Sequence, residues 1–153
     1  MIRSETKQTI ARSAEDIWTY AADTLRHPEW MGVTDARIVR GHGDEVGARG
    51  REHLAFGPFR WDAEFEVVEA VPGRRIVWRA VADVPFQGDL ALDLVPLGPT
   101  STLATYGLAL QLRGLWRLLT PFVAMESKAG PERELKRLKE NVETGVAMAP
   151  ATS

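Results

Sequence analysis

The stretch "FRWDAEFEVVEAVPGRRIVWRAVAD" (residues 59–83) decides the architecture. In its first half Trp61, Ala63, Phe65 and Val67 alternate with Asp62, Glu64 and Glu66, so one face is apolar and the other acidic. In its second half Ile76, Trp78 and Ala80 keep the same period. Pro72-Gly73 between them leaves room for a tight turn and none for a crossover helix, so the two strands run antiparallel.

The alternation spreads outward from this hairpin. It predicts further strands over 36–41, 47–56, 86–97 and 101–112, with Gly57-Pro58 and "PLGPTS" (96–101) as turns. Upstream, "TKQTIAR" gives a strand signal within residues 4–12. Ser13 then reads as an N-cap with Asp16 at the capping-box position, and Ile17, Trp18, Ala21, Ala22 and Leu25 predict a helix over 14–25. Pro28 starts a very short helical turn at "PEWM" (28–31). The chain closes with a helix whose apolar stripe is Met125, Ala129, Leu135, Leu138 and Val142, and Gly130-Pro131 is expected to kink or divide it. The acids and bases of this helix are balanced in number, which reads as a solvated outer face.

The order predicts an α+β fold: a curled antiparallel sheet of six to seven strands around a long C-terminal helix, with two short helices after the first strand. The apolar sheet face and the helix must cover each other, and a long sheet that twists and curls can leave a cavity beneath the helix. A single domain over 1–146 and a flexible tail over 147–153 are expected.

Composition excludes several classes of function. With 19 basic and 21 acidic residues the net charge is -2, which gives no electrostatic footprint for nucleic acid. Cysteine is absent, so disulfides, thiol nucleophiles and thiolate metal sites are ruled out. The N-terminus has no signal-peptide core, and "GLWRLLTPFVAM" (114–125) is too short and interrupted to span a bilayer, so a cytoplasmic location without integral membrane association is expected.

The local motifs also point away from metals and phosphates. His27 and Glu29 have the H-x-E spacing of a zinc deaminase but lack the cysteine pair that motif requires. The histidines at 27, 42 and 53 have no ligand spacing, so neither a metal nor another cofactor is expected. "GHGDEVG" (41–47) has Val46 where a phosphate loop's third glycine belongs and leads into a strand, so it is a turn. No serine sits at a sharp strand-to-helix turn.

Strand parity assigns the interior. Trp61 and Phe65, Trp78, Leu92 and Leu108 point inward on their strands. In 47–56 Arg49, Arg51 and His53 share a face that meets solvent, which turns Glu52, Leu54 and Phe56 inward. Glu52 is then a carboxylate on the apolar side. It either sits at a cavity mouth, solvated or paired to an arginine, or is desolvated into a usable acid or base. With the opposite parity Arg51 and His53 become the inner pair and suit an anionic head. Tyr106 is a phenol on the inward face of the last strand; it either orients a ligand oxygen or satisfies a carbonyl at the core's edge. Together Glu52 and Tyr106 are the candidate catalytic pair, able to polarise a carbonyl and move a proton.

Six stretches carry a resemblance: "SAEDIWTYAAD" (13–23), "HPEW" (27–30), "VGARGRE" (46–52), "EFEVVEAVPGRRIVWR" (64–79), "GLWRLLTPF" (114–122) and "ELKRLKENVE" (134–143). In this order and spacing the chain resembles the START-like (SRPBCC) helix-grip superfamily, and within it the polyketide cyclase/dehydrase and lipid-transport group, over residues 3–145. The resemblance implies a small hydrophobic ligand (polyketide, lipid, sterol or quinone-like) bound between sheet and C-terminal helix. Trp30 would be cavity wall, with His27 and Glu29 at the surface. The candidate ligand-binding set is Trp30, Leu54, Phe56, Trp61, Phe65, Trp78, Leu92, Leu108, Phe122 and Met125. A cyclase or dehydratase using acid–base groups in the same cavity is the alternative. An interaction module with an exposed apolar patch around Trp116, Leu119 and Phe122 is the third reading, and a homodimer stays open.

Overall fold

The computed structural model describes residues 1–56 and 58–145. Seven strands form one antiparallel sheet: β1 (Ile2–Ile10), β2 (Val33–Arg40), β3 (Arg49–Phe56), β4 (Phe59–Val71), β5 (Arg75–Ala82), β6 (Phe86–Gly98) and β7 (Ser101–Leu112). The spatial order is β1-β7-β6-β5-β4-β3-β2, so β2 to β7 are a meander of sequence neighbours and β1 alone jumps, to pair with β7. The tail expected at 147–153 lies outside the described residues, and so does Gly57 in the β3–β4 connection.

Between β1 and β2 lie α1 (Ala14–Ala21), a 3-10 turn (Thr24–Arg26) and α2 (His27–Trp30). Ser13 caps α1 by accepting from the Asp16 N–H at 3.1 Å. The helix stops short of the predicted residue 25 because Asp23 accepts from the Leu25 N–H and caps a separate turn, which leaves Leu25 exposed. Gly43 in the β2–β3 loop backs onto this turn: a Cβ there would lie 2.3 Å from the Ala22 carbonyl oxygen, so only glycine fits.

The parity read from sequence sorts the two faces of the sheet. Arg49 donates to Glu64 and Glu66, and Arg51 to Asp62, Glu64 and Asp83, so the charged alternates of β3 and β4 meet one another on the outer face. The inner face carries Ile76, Trp78, Leu92, Leu94 and Tyr106, all buried. A register shift between Val67 and Glu69 moves the inward set of β4 from odd to even residues, so Ala70 packs on the core.

After β7, a 3-10 segment (Gly114–Leu119) leads into α3 (Thr120–Glu143), which crosses the inner face and packs most closely on β1. The predicted division at Gly130-Pro131 does not occur: α3 is one helix with Pro131 inside it. Pro131 has no N–H to give the Ser127 carbonyl one turn earlier. The Ser4 hydroxyl of β1 donates to that carbonyl instead, so the lost helical bond is replaced from the sheet. At the far end the Glu143 carboxylate accepts from the Ala11 N–H and Lys139, and Arg12 donates to the Glu143 carbonyl, which pins the helix to the end of β1. Among the described residues no helix is long and apolar enough to cross a membrane.

Candidate functional site

Between the sheet and the first half of α3 lies a cavity of about 350 Å³. Its floor comes from Leu54 and Phe56 of β3, Trp61 and Phe65 of β4, Trp78 of β5, Leu90 of β6 and Leu108 of β7. Its roof is Val123, Ser127, Gly130 and Pro131 of α3, and Trp116 and Leu119 close one end. The space exists because the roof residues are small. Further along α3, Leu135, Leu138 and Val142 face the same sheet and fill it completely. Aromatic contacts hold the closing segment down: Trp116 meets Phe59 with ring centroids 4.8 Å apart and Trp61 at 5.6 Å, and Trp61 meets Phe86 at 6.5 Å.

Four ionised side chains of the lining are already engaged or fixed. Asp89 accepts from Nε and Nη2 of Arg79, at 2.8 and 2.9 Å, and Arg133 pairs with Glu126. Glu134 is held from two sides: Oε1 accepts from the Gly32 N–H at 2.9 Å and Oε2 from the Tyr106 hydroxyl at 2.7 Å. Burial pushes the Glu134 carboxyl above its ordinary range, and those two hydrogen bonds and the nearby Arg137 and Arg133 charges only partly counter it. The Tyr106 phenol is raised well above its usual value, first by burial and then by the Glu134 charge. Arg137 also lines the cavity, and it makes no hydrogen bond or ion pair with the described residues.

The other inward carboxylate lies elsewhere. Glu52 is buried with one oxygen 2.5 Å from His27 Nδ1, and His27 Nε2 donates to the Ala21 carbonyl at 3.1 Å. A carbonyl only accepts, so the Nε2 position carries a proton. The short contact then joins either an imidazolium to a carboxylate or a neutral imidazole to a carboxylic acid. Trp30 and Trp78 flank the ring edge-on, at 5.9 and 5.4 Å. This pair borders a recess of about 10 Å³ near the β2–β3 loop, room for roughly one water.

The expected residues therefore separate. Leu54, Phe56, Trp61, Phe65, Trp78 and Leu108 line the cavity. Trp30 and Leu92 are fully buried and pack in the solid core rather than on the cavity. Phe122 and Met125, expected inside, project outward with 64% and 75% of their surfaces exposed. On a helix they share the outer face with Leu115 and Leu118 of the preceding segment, which are also exposed, whereas Trp116 and Leu119 turn to the cavity. His27, expected at the surface, is 2% exposed. Glu52 is neither at a cavity mouth nor paired to an arginine, because both arginines of β3 lie on the opposite face and His27 is the side chain it meets. Glu52 and Tyr106 do not meet in one cavity: Glu52 belongs to the histidine and Tyr106 to Glu134.

Reading α3 as a solvated charged face concealed Glu134 and Arg137. The signal was available in the helical spacing, since residues 127, 131, 134 and 138 fall on one side. Glu29, also expected at the surface, is half-buried: it accepts from the Tyr20 hydroxyl at 2.8 Å and from Arg26, while Asn141 of α3 donates to both the Tyr20 oxygen and the Glu29 carbonyl. The "HPEW" turn is thus bolted to α3.

A family model described as polyketide cyclase / dehydrase and lipid transport matches residues 1–143. The chain belongs to this family. The fold seen in this chain, a curled antiparallel sheet around a C-terminal helix, is shared by solved structures. A START superfamily protein from Mycobacterium smegmatis is 20% identical with a TM-score of 0.79, over 93% of this chain and 97% of that one. The Zhui aromatase/cyclase from Streptomyces sp. R1128 is 18% identical with a TM-score of 0.71, over 94% of each chain. The di-domain aromatase/cyclase BexL of the BE-7585A biosynthetic pathway is 18% identical with a TM-score of 0.74, over 95% of this chain and 48% of that one. At these identities the likeness is one of fold. Among curated proteins no relative matches the sequence. Membership in this family supports a hydrophobic-ligand or cyclase role for the cavity.

Proposed function

We propose that this protein binds a small, largely hydrophobic molecule, of polyketide, lipid, sterol or quinone-like type, in the cavity under α3. One observation carries the reading: a space of about 350 Å³ persists inside a folded domain, floored by aromatic and leucine side chains. Closed cores pack without voids of that size, and the volume falls in the range of small-molecule sites, roughly 300–1,000 Å³. Leu54, Phe56, Trp61, Phe65, Trp78 and Leu108 form the apolar contact surface in this reading.

A cyclase or dehydratase working through Glu52 and Tyr106 is disfavoured, because an acid–base pair has to reach one substrate. Of the three carboxylates on its wall, Asp89 and Glu126 are paired with arginines, so any proton transfer in this cavity falls to Glu134.

The binding reading is tested by titrating the neutral fluorophore N-phenyl-1-naphthylamine into the protein and into Ala80→Phe, which fills the floor. Saturable binding to the natural chain, lost in a variant with an unchanged melting temperature, is expected. Equal binding by both proteins would overturn it.

A further inference from the structure

The cavity is apolar except along one edge, and that edge is chemically lopsided. Most of its polar groups are spent. Asp89 is taken by Arg79, Glu126 and Arg133 by each other, and the Ser127 hydroxyl donates to the Val123 carbonyl at 2.6 Å. Besides the indole N–H of Trp78, which is buried without a hydrogen-bond partner, two charged groups keep unused capacity. The Glu134 oxygens each accept one bond, from Gly32 and Tyr106, and a carboxylate has about four acceptor positions, so further positions remain. Arg137, one turn along α3, carries guanidinium donors with no acceptor among the described residues.

These two groups ask for different things. Glu134 needs a donor, and Arg137 needs an acceptor. A ketone or an ether satisfies only Arg137 and leaves the remaining Glu134 acceptor positions unused. A ligand carboxylate also satisfies Arg137 but brings a second negative charge beside Glu134. A hydroxyl serves both, since it donates through its hydrogen and accepts through its lone pairs. Two bonds from the protein hold the Glu134 carboxylate in place before any ligand arrives, so little rotamer freedom is lost on binding. The raised Glu134 carboxyl is consistent with an acceptor short of solvation.

We propose that the molecule bound in this cavity carries an uncharged hydroxyl, alcoholic or phenolic, which donates to the Glu134 carboxylate and accepts from Arg137. The assignment rests on the cavity being the binding site, and Tyr106 acts in it as a positioning residue that fixes the carboxylate.

The test is competition against bound N-phenyl-1-naphthylamine by three probes of equal chain size: 1-undecanol, its isomer 1-methoxydecane, and undecanoate. A hydrogen bond to a charged acceptor that the ether cannot make predicts a preference for the alcohol over the ether of about tenfold or more. Undecanoate is expected to bind more weakly than 1-undecanol at neutral pH. In Glu134→Gln the alcohol-to-ether ratio falls several-fold, because the charge on the acceptor is gone. In Arg137→Met both probes weaken and their ratio holds. These are ratios within one protein, so a general loosening of a variant cancels. Alcohol and ether binding equally well to the natural chain overturns the proposal while leaving the cavity as the binding site. Undecanoate binding most tightly overturns it in favour of an anionic head. Failure of the fluorophore to bind at all removes the site and the proposal together.

Discussion

The two halves of the interior use the same sheet and the same helix and end up opposite in character. Toward the C-terminal half of α3, Leu135, Leu138 and Val142 pack against Trp30, Leu92 and Tyr106, all of them nearly or fully buried. Toward its N-terminal half, Val123, Ser127, Gly130 and Pro131 face Trp61, Phe65 and Leu108 across open space. The floor is apolar in both halves. What differs is the size of the helix side chains and the wedge that α1 and α2 drive in at one end only. The cavity is set by what the helix omits. A proline in α3 is part of that omission, and β1 supplies the hydrogen bond that makes it tolerable.

The difference between the halves can be broken most severely in the solid one. His27→Ala leaves Glu52 buried without its partner, and losing one member of a buried pair costs about 3–5 kcal/mol. Urea unfolding should show a drop of that order, and adding Glu52→Leu should recover at least half of it. A drop under about 1 kcal/mol would mean that water reaches Glu52 and that the solid half is not solid.

In the hollow half the effects are smaller and more specific. Ser4→Ala orphans the Ser127 carbonyl and is expected to cost about 1–2 kcal/mol. In a Pro131→Ala background, where residue 131 regains its N–H, the same change should cost close to nothing. A double-mutant cycle reads the coupling directly. Equal costs in the two backgrounds would show that Ser4 does not compensate for the proline.

The smallest effect is a pH dependence. Burial and the neighbouring Glu29 push the Tyr20 phenol from 10.0 up to about 12. The folded state thus favours the protonated phenol. Its contribution is fully present below pH 10, where the unfolded phenol is also protonated, and is lost as pH rises toward 12. Melting temperatures across that window should fall, and Tyr20→Phe should make the fall shallower, with the Tyr106 phenol accounting for what persists. An identical slope in Tyr20→Phe would place the titration elsewhere.

Much of the fold was legible because strands announce their faces with a period of two. Asp62, Glu64 and Glu66 against Trp61, Phe65 and Val67 oriented β4, and the turns between strands were too short for anything but a meander. The floor of the cavity followed, since Leu54, Phe56, Trp61, Phe65, Trp78 and Leu108 each sit on a strand whose inner face was readable. The polar edge was harder to read. Glu134 lies among the helix's many charges, and its burial depends on how α3 rolls on β1, which a helical stripe of leucines fixes only to within a residue or so. Phe122 and Met125 were misassigned for the same reason, because the apolar stripe of the first helical turns is continuous with that of the exposed 3-10 segment. His27 was hidden by its place beside Pro28 in a four-residue helix, too short for any periodicity to show which way it points.

The sequence alone determined that this chain forms an antiparallel sheet with one apolar face, covered by a long helix. Those are local matters, settled by alternation, turn residues and capping. Only the tertiary structure decided which partner each buried charge receives, that Pro131 remains inside α3, and where the sheet stays uncovered. Each of these depends on groups far apart in the chain, from His27 with Glu52 to Ser4 with Ser127 and Gly32 with Glu134, or on opposing side-chain volumes, and neither is written in a local pattern.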